Sequence, residues 1–586
     1  MFKLFRNFNK KDVLIIIVSI SLIVLQVYLD LKLPEYMSAI TRLVQTDGSK
    51  MADILEKGLY MVGCAFGSLG TAIIVGYLAS SLSADFSRVL RDKIFNKVQS
   101  FSTSEIKKFK TSSLITRTTN DVTQIEMLIS MGLQMMIKAP IMAVWAILKI
   151  VDKSIEWSML TGAGVVILLV TVGILMMIVI PKFKIIQKLV DNINNVTREN
   201  LTGIRVIRAF NAEKFQNNRF EKVNGELTKT QLFNQRAFAI LFPMINFVMH
   251  ALTLGIYFIG AFLINSAMMY DKIVLFSDMV VFTSYGIQVI MSFLMLAMIF
   301  MIAPRAQVSA NRINEVLDSD SSILDGEYSD DTKDKGVVEF KNVSFKYPDA
   351  DEYLLKDISF KVNKGETIAF IGSTGSGKSS LINLVPRFYD ATDGEVLVDG
   401  VNVKDYKLNV LHNKIGYVPQ KAVMFTGSVS ENVSYGDNGR KKPTDKKIKE
   451  AIKIAQGKDF VEKMDKKYES NISRGGTNIS GGQKQRLAIA RAIARDPEIY
   501  IFDDSFSALD YKTDSALRSQ LKKYTKDATS MIVAQRIGTI MHADKIVVLE
   551  KGECVGIGTH KELLKGCDVY KEIALSQLTK EELENA

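Results

Sequence analysis

Cysteine is almost absent from this sequence, which has three among its 586 residues. Cys64, Cys554 and Cys567 are too few and too far apart for a disulfide framework, and none has the paired spacing of a metal site. Charged residues make up 23% of the chain, whereas hydrophobic residues make up 47%. These values exclude a disordered chain and argue against a purely soluble enzyme. The length is roughly four times that of an average domain, so at least two folded units are expected.

Six apolar runs before residue 305 are long enough to cross a hydrocarbon core of about 30 Å. They cover residues 13–29, 58–82, 127–148, 157–180, 237–270 and 279–303. The run 157–180 has no charged residue, whereas Lys138 interrupts the third run. The first run is too long for a typical signal peptide and no small-residue cleavage site follows it, so we interpret it as a membrane span.

Basic residues flank these runs on one side. Lys3, Arg6, Lys10 and Lys11 precede the first run, and further basic residues fill the connection between the second and third runs. Because Lys and Arg collect on cytoplasmic flanks, the sequence predicts a multi-pass protein of the cytoplasmic membrane with both termini inside. The connections 83–126 and 182–236 have a helical pattern, so we expect the membrane helices to continue below the bilayer. The net charge of +11 lies at these flanks, so no nucleic-acid partner is expected.

The composition changes near residue 336, where apolar runs shorten to strand length and glycines separate them. The acidic stretch before it has no sustained apolar pattern and is typical of a linker. We therefore expect an all-α transmembrane domain of six helices at 1–317, a linker at 318–335 and a cytoplasmic α/β domain at 336–586.

A glycine-rich loop follows the predicted strand 366–371 and opens a helical pattern. It has the form GxxxxGK[ST] in the strand-loop-helix context that this motif requires. Its backbone N–H groups face phosphate, its lysine contacts the β- and γ-phosphates, and its serine hydroxyl can bind Mg²⁺. The α/β domain is therefore expected to be a P-loop ATPase. Its predicted ATP-binding residues in this loop are Gly372, Ser373, Thr374, Gly375, Ser376, Gly377, Lys378, Ser379 and Ser380.

Two further motifs belong to the same chemistry. The apolar strand 498–503 ends in Asp503, the predicted Mg²⁺ residue beside Ser379. A second anion-facing helix start lies between the two strands and is formed by Ser480, Gly481, Gly482 and Gln483. We do not expect these two phosphate-binding motifs, the glycine-rich loop and Ser480–Gln483, to bind the same nucleotide.

The phosphate loop, the Ser-Gly-Gly-Gln motif, the strand ending at Asp503 and the sequence Ser-Ala-Leu-Asp510 resemble an ATP-binding cassette (ABC) domain. Joined behind six spans, the whole chain resembles a half-size ABC exporter of the multidrug type. The resemblance implies that Tyr347 stacks on adenine, that Gln420 contacts Mg²⁺ and relays to the membrane helices, and that Asp510 lies between two cassettes.

The same resemblance implies a partner. Members of the family close two cassettes head to tail, with each ATP between one chain's phosphate loop and the other's Ser480–Gln483 motif. Residues 109–121 and 197–210 resemble the cytoplasmic loops whose short tip helices dock on the cassettes. ATP, Mg²⁺, the lipid bilayer, a second half-transporter and a transported substrate are therefore the expected cofactors and partners.

Two residues depart from the family's catalytic pattern. Asp504 stands where a Glu polarises the attacking water, and Gln535 stands where a His contacts the γ-phosphate. Asp has nearly the same pKa as Glu but is one methylene shorter, and a displacement of about 1 Å in a catalytic group can cost roughly 10²-fold in rate. Gln can donate a hydrogen bond but cannot become an imidazolium. We therefore predict a site that binds ATP but hydrolyses it poorly, in a heterodimer whose partner supplies the competent residues.

The transported substrate is less defined by the sequence. Met291, Met295 and Met298 follow one face of the sixth span and could pack against other helices or line a substrate cavity. Lys138 should face the bundle interior, water or an interfacial group. Small amphipathic compounds, peptides and lipids all remain open, and an ATP-gated channel or regulatory subunit is the alternative function, which passive ion flux would reveal.

Overall fold

The computed structural model describes residues 1–6, 8–46, 48–151, 155–329, 332 and 335–578. The chain divides into an N-terminal unit, Met1–Gln99 with Ser112–Ser319, and a C-terminal unit, Ser100–Thr111 with Asp320–Ala586. The domain limits expected at residues 317 and 335 stay predictions. Residues 330–331 and 333–334 of the predicted linker and residues 579–586 of the predicted ATPase domain lie outside the described residues.

The chain before residue 318 is helical. Its helices are α1 (Phe2–Phe5), α2 (Lys10–Gln45), α3 (Met51–Gln99), α4 (Thr103–Phe109), α5 (Thr111–Thr116), α6 (Val122–Val151), α7 (Ile155–Thr202), α8 (Ile204–Ala209), α9 (Glu213–Ala239), α10 (Leu241–Ser266) and α11 (Met269–Leu317). A π-helical turn, Arg117–Asp121, joins α5 to α6.

Six stretches within the described part of the chain are long and apolar enough to cross a membrane, which confirms the six predicted spans. They are Lys10–Gln45, Met51–Gln99, Thr111–Val151, Ile155–Thr202, Glu213–Ser266 and Asp271–Leu317. The fifth predicted run was too long, because α10 ends at Ser266 and Tyr270 already belongs to α11. The residues at this turn, Ala267 and Met268, are themselves apolar, so hydropathy does not mark the helix end.

The helices are longer than a bilayer requires. α3 has 49 residues, which is about 73 Å at the usual helical rise, against a hydrocarbon core of about 30 Å. α7 and α11 have 48 and 49 residues. The predicted continuation of the spans beyond the apolar region is therefore present.

α10 shows why these residues form membrane helices. Its buried face has Val248, Leu252 and Ile256, while Leu254 and Phe258 on the opposite side are 71% and 64% exposed. A helix that is apolar on all sides suits a lipid surround rather than water. On the buried face, a Cβ atom added at Gly260 would lie 2.6 Å from the Met279 sulfur, so this glycine allows the close approach of α10 and α11.

Several charged side chains of α2 and α6 form ion pairs. Lys138 on α6 lies 3.0 Å from Asp30 on α2, and the Ser68 hydroxyl of α3 donates to the same carboxylate. Lys149 and Lys32 both contact Glu35 at 2.8 and 2.5 Å. Lys138 therefore lies between helices, as expected for a charge that is costly in lipid. Asp30 ends the first apolar run, and sequence analysis did not connect it with Lys138.

The C-terminal unit is an α/β fold. Its strands are β1 (Val338–Phe345), β2 (Leu355–Val362), β3 (Thr367–Gly372), β4 (Asp393–Val398), β5 (Val401–Asn402), β6 (Ile415–Val418), β7 (Gly427–Ser428), β8 (Asn471–Ile472), β9 (Ile499–Asp503), β10 (Thr529–Val533), β11 (Lys545–Glu550) and β12 (Glu553–Gly558). Its later helices are α12 (Lys378–Ile382), α13 (Leu408–Lys414), α14 (Val429–Val433), α15 (Asp445–Ile454), α16 (Lys458–Glu462), α17 (Gly481–Arg495), α18 (Tyr511–Tyr524), α19 (Ile537–Ile540), α20 (His560–Gly566) and α21 (Asp568–Gln577).

The central sheet has the strand order β12-β11-β3-β10-β9-β6. The pairs β11-β3, β3-β10, β10-β9 and β9-β6 are parallel, and only β12 is antiparallel to its neighbour. The carboxyl ends of β3, β10 and β9 therefore lie side by side at one edge of the sheet. In open parallel sheets this edge is where ligands bind. A second sheet, β2-β1-β4-β5, is antiparallel.

Residues 100–111 belong to the C-terminal unit although they follow α3 in sequence. Ser102 caps α4 and its backbone N–H donates to the Glu105 carboxylate, which also accepts from the Ser322 backbone N–H at 3.2 Å. Phe101 and Phe109 stack with ring centroids 5.7 Å apart. The segment associated with the C-terminal unit thus begins before the interval 109–121 expected from sequence, and the N-terminal unit contains residues 112–121 and α8.

We expect Asp30→Asn and Lys138→Met, introduced singly, each to lower the free energy of unfolding by about 3 kcal/mol, because each leaves a partly buried charge without its partner. A loss of this size is at the lower end of the range for buried ion pairs, because the Asp30 and Lys138 side chains are still 20% and 22% exposed. The double variant should recover most of the loss. Thermal unfolding in detergent measures the cycle, and additive losses in the double variant would show that the two residues do not interact.

Candidate nucleotide-binding site

The glycine-rich loop connects β3 to α12 and encloses its own lysine. The Lys378 ammonium group donates to the backbone oxygens of Gly372 and Ser373 at 2.9 and 2.8 Å. Gly375 and Gly377 have φ of +85° and +94°, which glycine adopts without strain. A Cβ atom at Gly372 would lie 2.0 Å from the Leu549 backbone oxygen, so only glycine fits at the end of β3.

The electrostatics of Lys378 follow from its burial. The residue is 9% exposed. Burial lowers the pKa of Lys378, while the carboxylates of Asp504 and Asp503 act in the opposite direction. A buried ammonium group held by backbone oxygens can exchange these for phosphate oxygens, which carry more charge and bind it more strongly.

Ser379 and Asp503, two of the residues predicted to bind Mg²⁺, lie in direct contact. The Ser379 hydroxyl donates to the Asp503 carboxylate at 2.7 Å. Burial raises the pKa of Asp503, and the Ser379 hydrogen bond partly offsets it. A hydroxyl and a carboxylate oxygen are ligands that Mg²⁺ prefers, and Mg²⁺ typically takes only one or two protein ligands beside phosphates and water. The residues present therefore fit a Mg²⁺ ion bound with a nucleotide.

Asp504 and Gln535 contact each other directly. The Gln535 amide donates to the Asp504 carboxylate at 2.9 Å, and the Gln420 amide donates to the same oxygen at 3.3 Å. Asp504 is 8% exposed and has φ of +45°. Burial raises the pKa of Asp504, and the hydrogen bonds from Gln420 and Ser507 act in the opposite direction. The two departures noted in the sequence therefore form one hydrogen-bonded pair.

Gln577 holds the loop that follows β10, and sequence analysis missed it. Its amide donates to the Gln535 backbone oxygen at 2.8 Å, and its carbonyl accepts from the Ile537 backbone N–H at 2.8 Å. One side chain at the end of α21 thus fastens the backbone on both sides of Arg536. No local pattern marks Gln577, because its partners lie 40 and 42 positions earlier in the chain.

Tyr347 lies beside the glycine-rich loop. Its hydroxyl is 2.7 Å from the Ser380 hydroxyl. Its ring contacts Phe345 and Tyr389 edge to face, with centroids 4.9 and 5.2 Å apart. This position agrees with the predicted role at the adenine base, which stays a prediction.

The Ser480–Gln483 motif forms the start of α17. The Ser480 backbone N–H donates to the side-chain amide oxygen of Gln483 at 2.8 Å. The Gln483 backbone N–H donates back to the Ser480 hydroxyl at 3.3 Å, so the two residues form a capping box. Ser480 and Gly481 are exposed, and Gly482 approaches the Ala508 backbone oxygen. Asp510 is exposed and caps α18 through the Thr513 N–H, a hydrogen bond that lowers the pKa of Asp510.

No hydrogen bond or ion pair between described residues joins Ser480–Gln483 to the glycine-rich loop or to Asp503. The helix that the motif begins packs in a hydrophobic cluster with α14, α15 and α18, whereas the glycine-rich loop opens α12 next to the other core of the unit. Within one chain the two phosphate-binding motifs thus belong to different parts of the C-terminal unit.

The predicted substrate-facing residues lie in unequal surroundings. Met291 is 41% exposed, Met295 is half-buried, and Met298 packs against the buried core of the N-terminal unit. The stripe therefore divides into an accessible part, Met291 with Met295, and a packing part at Met298.

Known proteins match the chain along most of its length. The family described as ABC transporter matches residues 355–507, and the ABC transporter transmembrane region matches residues 14–303. An uncharacterized ABC transporter ATP-binding protein of Mycobacterium tuberculosis is 37% identical over 92% of this chain and 93% of its own length. A Bacillus subtilis protein of the same description is 35% identical, over 89% and 90% of the two chains.

Two further comparisons concern export. A Staphylococcus aureus protein that is 32% identical, over 85% of both chains, is named as a proposed multidrug export ATP-binding/permease protein. The solved structure of a bacterial Atm1-family ABC exporter with ATP bound is similar in fold, with a TM-score of 0.79 and 22% identity over 96% of this chain and 98% of that chain. At this identity the structural likeness establishes the fold alone.

We expect Gln577→Ala to loosen the loop at residues 535–537, because it removes two hydrogen bonds to the backbone. Each such bond contributes about 0.5–1.5 kcal/mol net, so amide exchange at Ile537 should accelerate roughly 2- to 10-fold. Hydrogen-deuterium exchange with mass spectrometry measures this. Ser576→Ala is the matched control, since that exposed hydroxyl bonds only within α21. Equal exchange in both variants would contradict the assigned role of Gln577.

Proposed function

The chain belongs to the ABC transporter family, and from this premise we propose that it is one subunit of a heterodimeric exporter and carries the poorly hydrolysing nucleotide site. It binds ATP and is a multi-pass membrane protein, as members with both the transmembrane region and the ATP-binding domain are. The proposal adds a location in the cytoplasmic membrane, a cytoplasmic ATPase domain and outward transport of small amphipathic compounds, peptides or lipids.

The pair of Asp504 and Gln535 carries the proposal. A general base needs a free carboxylate lone pair within about 3 Å of the water it activates. The Asp504 carboxylate is one methylene shorter than Glu and accepts amide hydrogens from Gln535 and Gln420 on one oxygen. Its position is therefore fixed by neighbours in the same chain, and the reach toward a γ-phosphate is reduced.

Nucleotide binding uses the remaining residues. Lys378 would exchange its loop oxygens for the β- and γ-phosphates, and the N–H groups of residues 372–380 would surround the phosphate chain. Ser379, Asp503 and Gln420 would hold a Mg²⁺ ion, which supplies charge neutralisation to the phosphates when bound. Tyr347 would stack on the base. The chain thus keeps all the groups expected to bind ATP. It lacks the Glu and the His expected to take part in activating the attacking water.

The exposed Ser480–Gln483 motif supports a partner chain. In the family such a motif completes the nucleotide site of the opposite subunit. Here the motif is intact, is exposed at Ser480 and Gly481, and has no hydrogen bond to the chain's own loop among the described residues. Asp510 is exposed beside it at the start of α18 and would lie in the contact between the two cassettes. We propose that this chain completes the hydrolytic site of a partner that supplies Glu and His.

Outward transport is supported by the charge distribution and by one relative. The basic flanks favour a cytoplasmic location for the ATPase domain, and the Staphylococcus aureus relative is named for export. Because Asp30 neutralises Lys138, the predicted cavity residues Lys138, Met291 and Met295 offer little net charge. A cavity of this kind suits partly apolar substrates that enter from the cytoplasm or the inner leaflet.

In the complex purified from its source membrane through a tag on this chain, we expect Ser480→Ala or Gly481→Asp to reduce ATP turnover at least 10-fold. Asp504→Ala should change it less than 3-fold, because hydrolysis occurs at the partner's site. The chain purified alone should bind Mg-ATP with negligible turnover. Phosphate release measures turnover in all three cases, and equilibrium binding of labelled Mg-ATP measures binding by the chain alone. Thr477→Ala, three positions before the motif, is the matched control.

Equal losses from the Ser480 and Asp504 variants would refute the assignment of the two sites, and rapid turnover by a verified dimer of this chain alone would refute the heterodimer. If reconstituted vesicles show passive ion flux but no ATP-driven accumulation of substrate, the protein is a channel rather than an exporter.

We expect Met291→Thr with Met295→Thr to shift the relative transport rates of several dyes and peptides, while ATP turnover without substrate stays within 2-fold. A thioether adapts to varied apolar substrates, and the smaller polar side chain does not. Met298→Thr is the packing control and should lower the melting temperature instead. Uptake assays in inverted vesicles at matched protein level measure these transport rates. Unchanged relative rates would show that Met291 and Met295 pack against other helices or contact lipid instead of substrate.

A further inference from the structure

Lys107 on α4 extends over two tyrosine rings of the C-terminal unit. Its ammonium nitrogen lies 4.9 Å from the ring centroid of Tyr347 and 5.3 Å from that of Tyr389. Both distances are within the range of a cation–π interaction. The interaction of this ammonium group with the Tyr389 hydroxyl raises the pKa of Lys107, so the side chain stays charged at neutral pH.

Tyr347 is half-buried, and two other rings contact its own. Phe345 and Tyr389 pack against the ring at 4.9 and 5.2 Å, with interplanar angles of 76° and 89°. The hydroxyl end is held by Ser380. A stacked base needs one full face of the ring, and the Lys107 ammonium group already lies over this ring.

α4 is braced within its own segment and against Ser322. Glu105 is buried and bonded to Ser102 and to the Ser322 backbone, and the rings of Phe101 and Phe109 stack on each other. A change at the Lys107 end is therefore transmitted to a short, braced segment. The neighbouring Lys108 is exposed and contacts only the ring of Phe109, at 6.0 Å, among the cation–π contacts of the described residues.

We propose that Lys107 and the adenine base compete for the same surface of Tyr347, so that ATP binding releases Lys107 and loosens residues 100–111 from the nucleotide site. This inference rests on the proposed function in one respect, the assignment of Tyr347 to the base. It makes Lys107 a positioning residue through which the base, rather than the phosphates, acts on the segment that continues from α3.

Competition between Lys107 and the base predicts the direction in which each affects the other's binding. Binding of the base and contact by Lys107 oppose each other, and by linkage each weakens the other by the same factor. A cation–π contact at a partly exposed site corresponds to about a 2- to 5-fold change in an equilibrium constant. Removing the charge should therefore tighten binding of a nucleotide and leave a base-free triphosphate unaffected.

The test uses the purified full-length chain and isothermal titration calorimetry with two ligands, Mg-AMP-PNP and Mg-tripolyphosphate. We expect Lys107→Met to lower the dissociation constant for AMP-PNP about 2- to 5-fold with no change for tripolyphosphate. Lys107→Arg should resemble the wild type, because it keeps the charge, and Lys108→Met should change neither constant. An unchanged affinity for tripolyphosphate also shows that each variant is folded.

Hydrogen exchange supplies a second readout. AMP-PNP should increase exchange of amides 103–109 in the wild type, whereas tripolyphosphate should not, and Lys107→Met should have the faster exchange before any ligand is added. A purely structural role of Lys107 would give the same response to both ligands.

The proposal is overturned if Lys107→Met changes both dissociation constants equally, leaves both unchanged, or weakens AMP-PNP binding. Tyr347→Ala separates this failure from failure of the proposed function. If Tyr347→Ala weakens AMP-PNP alone while Lys107→Met has no effect, only the role of Lys107 is wrong. If Tyr347→Ala has no effect on AMP-PNP either, the base does not bind at Tyr347 and both assignments fail.

Discussion

The parallel pairing of β3, β10 and β9 is the constraint on which the chemistry of this protein depends. It brings three strand ends to one edge of the sheet, and each end continues into a different functional segment: the glycine-rich loop, the loop with Gln535, and the Asp503-Asp504 pair. Hydrogen bonds of 2.7 to 3.3 Å then join them, from Ser379 to Asp503 and from Gln535 and Gln420 to Asp504. A shift in the register of any one strand would separate groups that are far apart in sequence.

The membrane-spanning part follows a simpler rule, which is that a charge in an apolar surround needs a partner. Lys138 has Asp30, and Glu35 has Lys32 and Lys149. The Lys138–Asp30 and Lys149–Glu35 pairs connect α6 to α2, so they contribute to helix association as well as to charge balance, whereas Lys32 pairs with Glu35 within α2. The chain can thus keep ionic groups within its spans while its outward faces remain apolar.

Much of this architecture could be predicted from local patterns. Span-length apolar runs predicted all six membrane helices, because lipid permits little else, and the two motifs assigned Ser379 and Asp503 to one Mg²⁺ site, in which their side chains are hydrogen-bonded. The contacts of Gln577 with Gln535, of Lys107 with Tyr347 and of Asp30 with Lys138 could not be predicted. Each joins residues 42 to 240 positions apart through side chains whose types are common on any protein surface. Hydropathy also placed the end of the fifth span too late, since Ala267 and Met268 are apolar within a turn.

The backbone at Asp504 also limits which side chains this position accepts. A φ of +45° lies in the left-handed region, which Asp and Asn occupy more readily than other side chains apart from glycine. The shorter carboxylate is thus suited both to its backbone and to its hydrogen bond with Gln535. Lengthening residue 504 alone would disturb both, and replacing Gln535 alone would leave a buried carboxylate with one amide fewer. Because touching residues rarely contribute additively, a single substitution at either position does not measure what that residue contributes, and Asp504 and Gln535 have to be exchanged together as one unit.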